Sequence, residues 1–371
     1  MMDSSFDNRM MARALQLARR GQYSAMPNPH VGCVLVRDGE VLGEGFTQPA
    51  GGAHAEIEAL SAAGEARGAT AYVSLEPCSH QGRTGPCAEA LVEAGVVRVV
   101  AAMEDPNPAV AGTGLTRLRE AGVVVECGLM ASEAARVIPG FIARMTRGRG
   151  RVRAKLAMSL DGRTAMASGD SQWITGPPAR RDVQRLRAGS CAIVTGIGTV
   201  LADDCNLSLR ARELDLDEDE VARAIARQPL RVVLDSNLQI PAVARVLSAG
   251  QPTLVCHAPN VEVSAAQADT NADFQSLPRA DDGLDLEALM NELGRRQCNE
   301  ILVESGPRLA GAMLQAGLLD ELIVYMAPTL LGDKARPLLH LPLDLMSQKI
   351  PLQIEDVCKV GQDLRLTLTP G

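Results

Sequence analysis

Two apolar periodicities alternate along this chain, and that alternation limits its fold more than any other feature. Apolar side chains at 10, 11, 14, 15, 17 and 18 predict a helix over 7–20, with Asp7 as its N-cap and Gly21 as its stop. An extended apolar run over 31–37, the pair Asp38-Gly39 and a second extended run over 40–45 form a hairpin signature. The pattern then predicts helices over 53–63, 86–94, 114–121 and 131–143, alternating with extended segments at 70–75, 96–103 and 123–126. Such alternation implies an α/β layered domain. It stops at 144–153 (RMTRGRGRVR), which reads either as a solvated linker or as a basic arm for phosphate or RNA. The shortness of the run favours the linker. Beyond it the pattern restarts, with strands expected at 152–158, 191–196, 230–235, 253–257, 299–304, 321–326 and 361–369, and helices near 178–188, 284–296 and 307–316. The expected organisation of the 371 residues is a domain at 1–145, a linker at 146–153 and a second α/β domain at 154–371.

Composition narrows the function classes. The chain is 46% apolar and 22% charged, an ordinary globular balance. No apolar run approaches the roughly 18–20 residues of a membrane span. A net charge of −8 and only one Trp, three Tyr and four Phe offer neither a basic groove nor stacking platforms for nucleic acid. The first twenty residues show no secretory pattern, and nine cysteines without framework spacing suggest reduced thiols and a cytoplasmic setting. The acidic run 213–220 (ELDLDEDE) reads as an exposed loop or helix face.

The first chemical constellation is His54-Ala55-Glu56, Pro77-Cys78 and Pro86-Cys87. One helix and one strand separate His54 from Cys78, so the chain goes out and returns and the two can meet. A helix N-terminus favours thiolate, which suits Cys87 beside Pro86 to metal ligation. One His and two Cys make three ligands. Structural zinc takes four, whereas catalytic zinc takes three and keeps a place for water. Glu56, two residues from the His, is the candidate for moving protons between that water and a substrate.

These residues resemble the cytidine-deaminase-like superfamily, but eight residues separate the cysteines (Cys78-SHQGRTGP-Cys87) where the superfamily usually has two. The longer loop, together with Pro27-Asn28-Pro29-His30-Val31-Gly32, resembles the bifunctional deaminase–reductases of riboflavin biosynthesis, and the resemblance runs over nearly the whole chain. It implies an αβα sandwich with zinc on His54, Cys78 and Cys87, Glu56 as proton donor and Asn28 as a substrate contact. His80 and Arg83 are candidate contacts to a substrate phosphate. His30 stands where related chains often have Asn and reads as a loop neighbour rather than a ligand.

The second domain lacks a full G-x-G-x-x-G fingerprint. Gly196-Ile197-Gly198 follows a strand, with Thr199 as a helix opener, and Ser305-Gly306-Pro307 follows another. Two such turns suit one pyrophosphate or are tight βα turns alone. The segments KLAMSLDGR (155–163), SQWIT (171–175), TGIGTVLADD (195–204) and VESGP (303–307) resemble the reductase half of the same enzymes. That implies a dihydrofolate-reductase-like domain with an NADPH site lined by Ala157, Trp173, Thr199, Asp203, Ser236, Gly306, Pro307, Arg308, Leu309, Ala310, Gly311 and Ala312. The implied substrate contacts are Ser171, Arg187, Leu207, Arg210 and Glu304. Arg187 and Arg210 suit a ribose 5-phosphate as charge-assisted donors, and Trp173 offers a flat face or fills a core. Asp235 would favour NAD by repelling a 2′-phosphate, so NADPH rests on the resemblance. Lys155, Asp203 and Glu304 are all candidates for the proton donor of the reduction.

The implied function is zinc-dependent hydrolytic deamination of a ribosylamino-pyrimidinone phosphate, then NADPH reduction of its ribosyl chain to ribityl. The expected partners are a small phosphorylated substrate and further copies of the chain, without nucleic acid or membrane. One alternative keeps the zinc chemistry and makes RNA or free nucleosides the substrate. Another is a zinc and nucleotide sensor without turnover, which leaves Glu56 without a role.

Overall fold

Strand β1 (Gly32–Arg37) sets the architecture of the first unit. Val34 and Val36 pack with Met11 and Ala14, while Cys33 and Leu35 pack with Ala55, Ala59 and Leu91. Both faces of the strand are therefore covered, which is the condition for an αβα sandwich. The computed structural model describes residues 4–79, 85–108 and 110–371. The chain divides into two units, Met1–Gly148 and Arg149–Gly371.

In the first unit α1 (Ser4–Arg20) precedes β1, β2 (Glu40–Phe46), α2 (Ala55–Ala63), β3 (Thr70–Val73), α3 (Cys87–Glu93) and β4 (Arg98–Ala101). Then follow α4 (Thr113–Glu120), β5 (Val124–Cys127), α5 (Ala131–Val137) and α6 (Pro139–Arg147). Among the described residues the sheet order is β2-β1-β3-β4-β5, with β1 antiparallel to both neighbours and β3, β4 and β5 parallel. Asp38 and Gly39 both take positive φ, 53° and 84°, as the two-residue hairpin turn requires. The single helix expected over 131–143 is two, broken at Ile138-Pro139.

Asp7 is not an N-cap. Helix α1 begins at Ser4, and the Asp7 carboxylate accepts from Arg98 at 2.7 and 3.1 Å and from the Tyr72 hydroxyl. The Arg98 bond holds its carboxyl below the ordinary value against the opposing effect of burial. A nearly buried ion pair with β4 outweighs a local capping bond, and spacing alone carries no sign of it.

The second unit contains β6 (Arg151–Ser159), β7 (Arg163–Ala165), α7 (Pro177–Ala188), β8 (Ala192–Gly196), α8 (Ile197–Asp203), α9 (Glu218–Ala226), β9 (Leu230–Leu234), β10 (Thr253–His257), α10 (Ala265–Ala268) and β11 (Ala272–Ser276). It continues through β12 (Arg279–Ala280), β13 (Gly283–Leu284), α11 (Leu286–Arg295), β14 (Glu300–Val303), α12 (Pro307–Gln315), β15 (Glu321–Ala327), β16 (Arg336–Pro337), β17 (Leu352–Val360) and β18 (Asp363–Pro370). Its main sheet runs β11-β10-β9-β8-β14-β6-β15-β18-β17. The order is parallel from β11 to β15 and antiparallel through the closing hairpin. The acidic run at 213–220 ends as the start of α9, where Asp217 caps the helix by accepting from Glu220 N–H.

Within 146–153 only residues 148–150 lie outside a helix or strand. Arg149 pairs with Asp320 at 2.8 Å, Arg151 with Glu321 and Arg153 with Glu300 at 3.2 Å. These three arginines are docked on the second unit rather than presented as a basic arm.

Helix α2, which begins beside His54, lies directly on β2 because two glycines open the strand surface. A Cβ on Gly43 would stand 2.3 Å from the Ala59 carbonyl oxygen, and one on Gly45 would stand 2.3 Å from that of Ala55. Gly45→Val should therefore destabilise the chain by at least the roughly 1–3 kcal/mol of an over-packed core. Chemical denaturation measures this, and wild-type stability would contradict the close approach.

Candidate functional site

Three donor atoms converge where α2 and α3 begin. His54 holds the N-cap position of α2 and Cys87 is the first residue of α3. His54 Nδ1 lies 3.6 Å from Cys78 Sγ and 3.4 Å from Cys87 Sγ, and the three donors all lie within 4.8 Å of one another. The backbone of α3 seats Cys78: Cys87 N–H donates to its Sγ at 3.4 Å, and Ala88 N–H donates to its carbonyl at 3.1 Å. The hydrogen bond from Cys87 lowers the Cys78 thiol, so the first proton to leave the pair is that of Cys78. One imidazole and two thiols at this spacing fit zinc in ligand type and number, with a position left open.

Glu56 is only 3% exposed, and its carboxyl hydrogen-bonds the Cys87 thiol. Burial first, then the negative charge at Cys78, pushes that carboxyl up to about 7. A group so poised gives and takes protons near neutrality. Asn28 is half-buried, with its N–H donating to Ala25 O at 3.0 Å. His30 stands outside the donor cluster. His80 and Arg83 lie outside the described residues.

In the second unit Glu304, Ser236 and the two glycine turns stand at the C-terminal ends of parallel strands, the usual place for ligands in such sheets. Glu304 follows β14 and is 8% exposed. It accepts a bidentate pair from Arg187 at 2.6 and 3.0 Å, and Lys155 Nζ stands 3.9 Å away. Burial alone would raise the Glu304 carboxyl; the charges of Arg187 and Lys155 outweigh it and hold the group below the ordinary value. Burial lowers the Lys155 ammonium. Arg187 is engaged by Glu304 and by Ser208 O at 3.4 Å, while Arg210 pairs with Glu213 at the surface.

The two glycine turns are neighbours, since a Cβ on Gly196 would lie 3.9 Å from Leu309. Helix α8 opens at Ile197 rather than Thr199, which is half-buried within it, and Asp203 is exposed at its end. Gly306, Pro307 and Arg308 form the outer start of α12, whereas Ala310 and Gly311 are buried. A Cβ on Gly311 would meet His340 O at 2.3 Å. Ala312 is half-buried, and Ala157 packs with Ala179 and Val183. Trp173 is 67% exposed with the Arg180 guanidinium 4.6 Å above its ring, so it is not a core residue. Ser171 is half-buried nearby in sequence. The Leu207 side chain packs with Ile193 and Val233, which leaves its backbone, at φ 59°, for any ligand. Ser236 is half-buried just past β9. Asp235 before it is fully buried, its Oδ2 accepting from Ile240 N–H at 2.7 Å, so it does not stand where it would repel a 2′-phosphate.

Two supporting residues escape the sequence reading. The fully buried Arg231 donates to Asn206 Oδ1, Ser248 O and Gln251 O at 3.0–3.1 Å, tying down the loop that carries Leu207. Glu76, two residues before Cys78, is buried and accepts only backbone N–H bonds. Neither sits in a recognisable motif. An isolated Arg within a strand, or a Glu before Pro-Cys, becomes visible only in three dimensions.

A zinc-deaminase unit followed by a reductase unit is the class that fold and sites define. Residues 4–103 match the family model of the cytidine and deoxycytidylate deaminase zinc-binding region, and residues 151–366 match that of the RibD C-terminal domain. The chain is 53% identical over 365 residues to the riboflavin biosynthesis protein RibD of Escherichia coli, covering 98% of this chain and 99% of that one. It is 49% identical to that of Haemophilus influenzae, covering 99% and 98%. Among solved structures, Acinetobacter baumannii RibD superimposes with a TM-score of 0.91 at 46% identity over 100% of each chain. A diaminohydroxyphosphoribosylaminopyrimidine deaminase/5-amino-6-(5-phosphoribosylamino)uracil reductase from Thermotoga maritima gives 0.85 at 29% over 99% of each. The chain belongs to the RibD family of bifunctional riboflavin biosynthesis enzymes, and its cofactors are zinc and NADPH.

Replacing a donor should remove the metal. Cys87→Ser is expected to weaken zinc binding by more than the roughly 10–100-fold that loss of an outer-shell partner costs. Atomic absorption after dialysis reads this, and a full zinc complement would contradict the assignment.

Proposed function

We propose that His54, Cys78, Cys87 and Glu56 carry out the deamination of 2,5-diamino-6-(5-phosphoribosylamino)pyrimidin-4(3H)-one, and that the cluster around Lys155 and Glu304 reduces the product. The observation that carries the first half is a buried Glu56 touching a three-donor His-Cys-Cys set. Zinc held there supplies Lewis-acid polarisation, the chemistry that makes water nucleophilic at neutral pH. Glu56 takes the proton of the attacking water at its carboxylate and gives it to the amine that leaves as ammonia. The ring carbon gains a C=O bond and loses its C–N bond. Asn28 orients the pyrimidinone, and His80 and Arg83 are assigned to the phosphate.

In the second unit NADPH supplies the hydride. Ala157, Trp173, Thr199, Asp203, Ser236 and the start of α12 are the residues we assign to it. Ser171, Arg187, Leu207, Arg210 and Glu304 are assigned to the substrate. Hydride reaches C1′ of the opened ribose while a proton is delivered beside it, giving the ribityl chain. Lys155 is the donor we favour among the three candidates. Glu304 is held ionised by Arg187, and Asp203 stands exposed at the end of α8, whereas burial predisposes the Lys155 ammonium to release its proton.

The deaminase domain is placed at 1–145 and the reductase domain at 154–371; the division between Gly148 and Arg149 supports this. No helix among the described residues is long and apolar enough to cross a membrane. Nine cysteines, none of them in a disulfide, support a reducing cytoplasmic setting. The exposed Leu352, Ile354 and Val357 on edge strand β17 support assembly into a homo-oligomer. The RNA alternative loses its ground because the second half is a RibD reductase domain.

Two tests follow from the assigned roles. Glu56→Gln should cut ammonia release about 10²-fold or more while zinc content stays at the wild-type level; full ammonia release would refute the role of Glu56. For the reduction, Lys155 has no proton to give once it is neutral, so kcat should fall as pH rises, with a midpoint below 10.5. Lys155→Met should lose about 10²-fold in kcat and lose that alkaline limb. A limb unchanged in the variant would exclude Lys155 as donor.

A further inference from the structure

We propose that Glu76 is a positioning residue of the deaminase site, clamping the first turn of α4 and thereby fixing the peptide that presents Cys78. The proposal rests on the zinc assignment above. Glu76 is 4% exposed and lies between β3 and Cys78. Its Oε1 accepts from Gly114 N–H at 2.7 Å and Leu115 N–H at 3.2 Å. Its Oε2 accepts from Gly112 N–H at 2.9 Å and Asp105 N–H at 3.0 Å. A carboxylate has about four acceptor sites, so Glu76 is saturated and has no capacity left for substrate. Three of its donors are N–H groups at the start of α4, which have no partner inside the helix, and the helix dipole adds to the attraction.

The residues on either side of Cys78 are held by the same turn. A Cβ on Gly114 would lie 1.9 Å from the Pro77 carbonyl oxygen, so the helix backbone rests directly on the Pro77 peptide. On the other side, Ser79 Oγ lies 2.7 Å from Thr113 Oγ1, and the Thr113 hydroxyl donates to Val110 O at 2.5 Å. Cys78 is thus bracketed by two anchors on one rigid element. That bracket sets where its sulfur stands relative to His54 and Cys87. Glutamine at position 76 would turn an NH2 group toward two of the four N–H donors and remove the charge.

The test uses the full-length chain carrying Glu76→Gln. Zinc affinity is measured by equilibrium competition with a chromophoric chelator, and thermal unfolding of the metal-free protein is followed separately. NADPH oxidation with the deaminated substrate serves as a fold control in the same chain. A positioning role predicts zinc binding weakened about 10–100-fold, in the range of lost outer-shell partners, with the reductase rate unchanged. Wild-type zinc affinity, with only a lowered unfolding temperature, would overturn the proposal. If Glu76→Gln does not fold, Ser79→Ala removes the other anchor at the surface. A several-fold loss of zinc affinity then supports the bracket, and an unchanged affinity overturns it. Failure of the underlying assignment shows differently, as zinc retained by Cys87→Ser.

Discussion

Taking a carboxylate out of water raises its pKa unless a cation stays beside it. The two units apply that rule in opposite directions. Glu56 is buried against two thiols and an imidazole, and its carboxyl rises to about 7. Glu304 is buried almost as deeply, but Arg187 grips it through two hydrogen bonds and Lys155 stands near, so it remains a fixed negative charge. The first carboxyl is poised to gain or lose a proton near neutrality. The second holds two cations in place, one of them with its own proton loosened by burial. The division of labour between the units follows from what each buried carboxylate has for company.

The fold earns these environments by close backbone approach. In the first unit the glycines of β2 let α2 lie on the sheet, and Gly114 lets α4 rest on the Pro77 peptide. The donors therefore come from elements whose spacing is fixed by main-chain contact rather than by adjustable side chains. In the second unit the parallel strands deliver Thr195, Glu304 and Asp235 to the same edge of one sheet, at the ends of β8, β14 and β9. Arg231 then ties the 206–208 loop to the residues after β9 through carbonyl oxygens.

Much of this was legible in the sequence. The alternating periods place the principal helices and strands of both sheets, and His-x-Glu with two Pro-Cys pairs marks the donor set. The family resemblance supplies the chemistry of both halves. What escaped has a common physical origin. Asp7 reads as a helix cap, but a pairing with Arg98, 91 residues away, decides its position. Asp235 reads as a selector against NADP, but its side chain turns inward to cap the Ile240 turn. Arg187 reads as a phosphate donor, but that reading gives no sign of its bidentate pairing with Glu304. Each is a polar side chain with several local options, and the one it takes depends on a partner distant in sequence. Periodicity reports burial of apolar surface and is silent on such pairings.

One chain carries two separate chemistries in a fixed order, the zinc site first. The most direct measurement supplies the zinc-loaded protein with the diaminopyrimidinone phosphate and NADPH, and follows ammonia and NADPH absorbance together, with NADH in a parallel sample. Ammonia release should come first, then NADPH oxidation in equal amount, with NADH a poor substitute. NADPH oxidation that precedes or proceeds without ammonia release would contradict it.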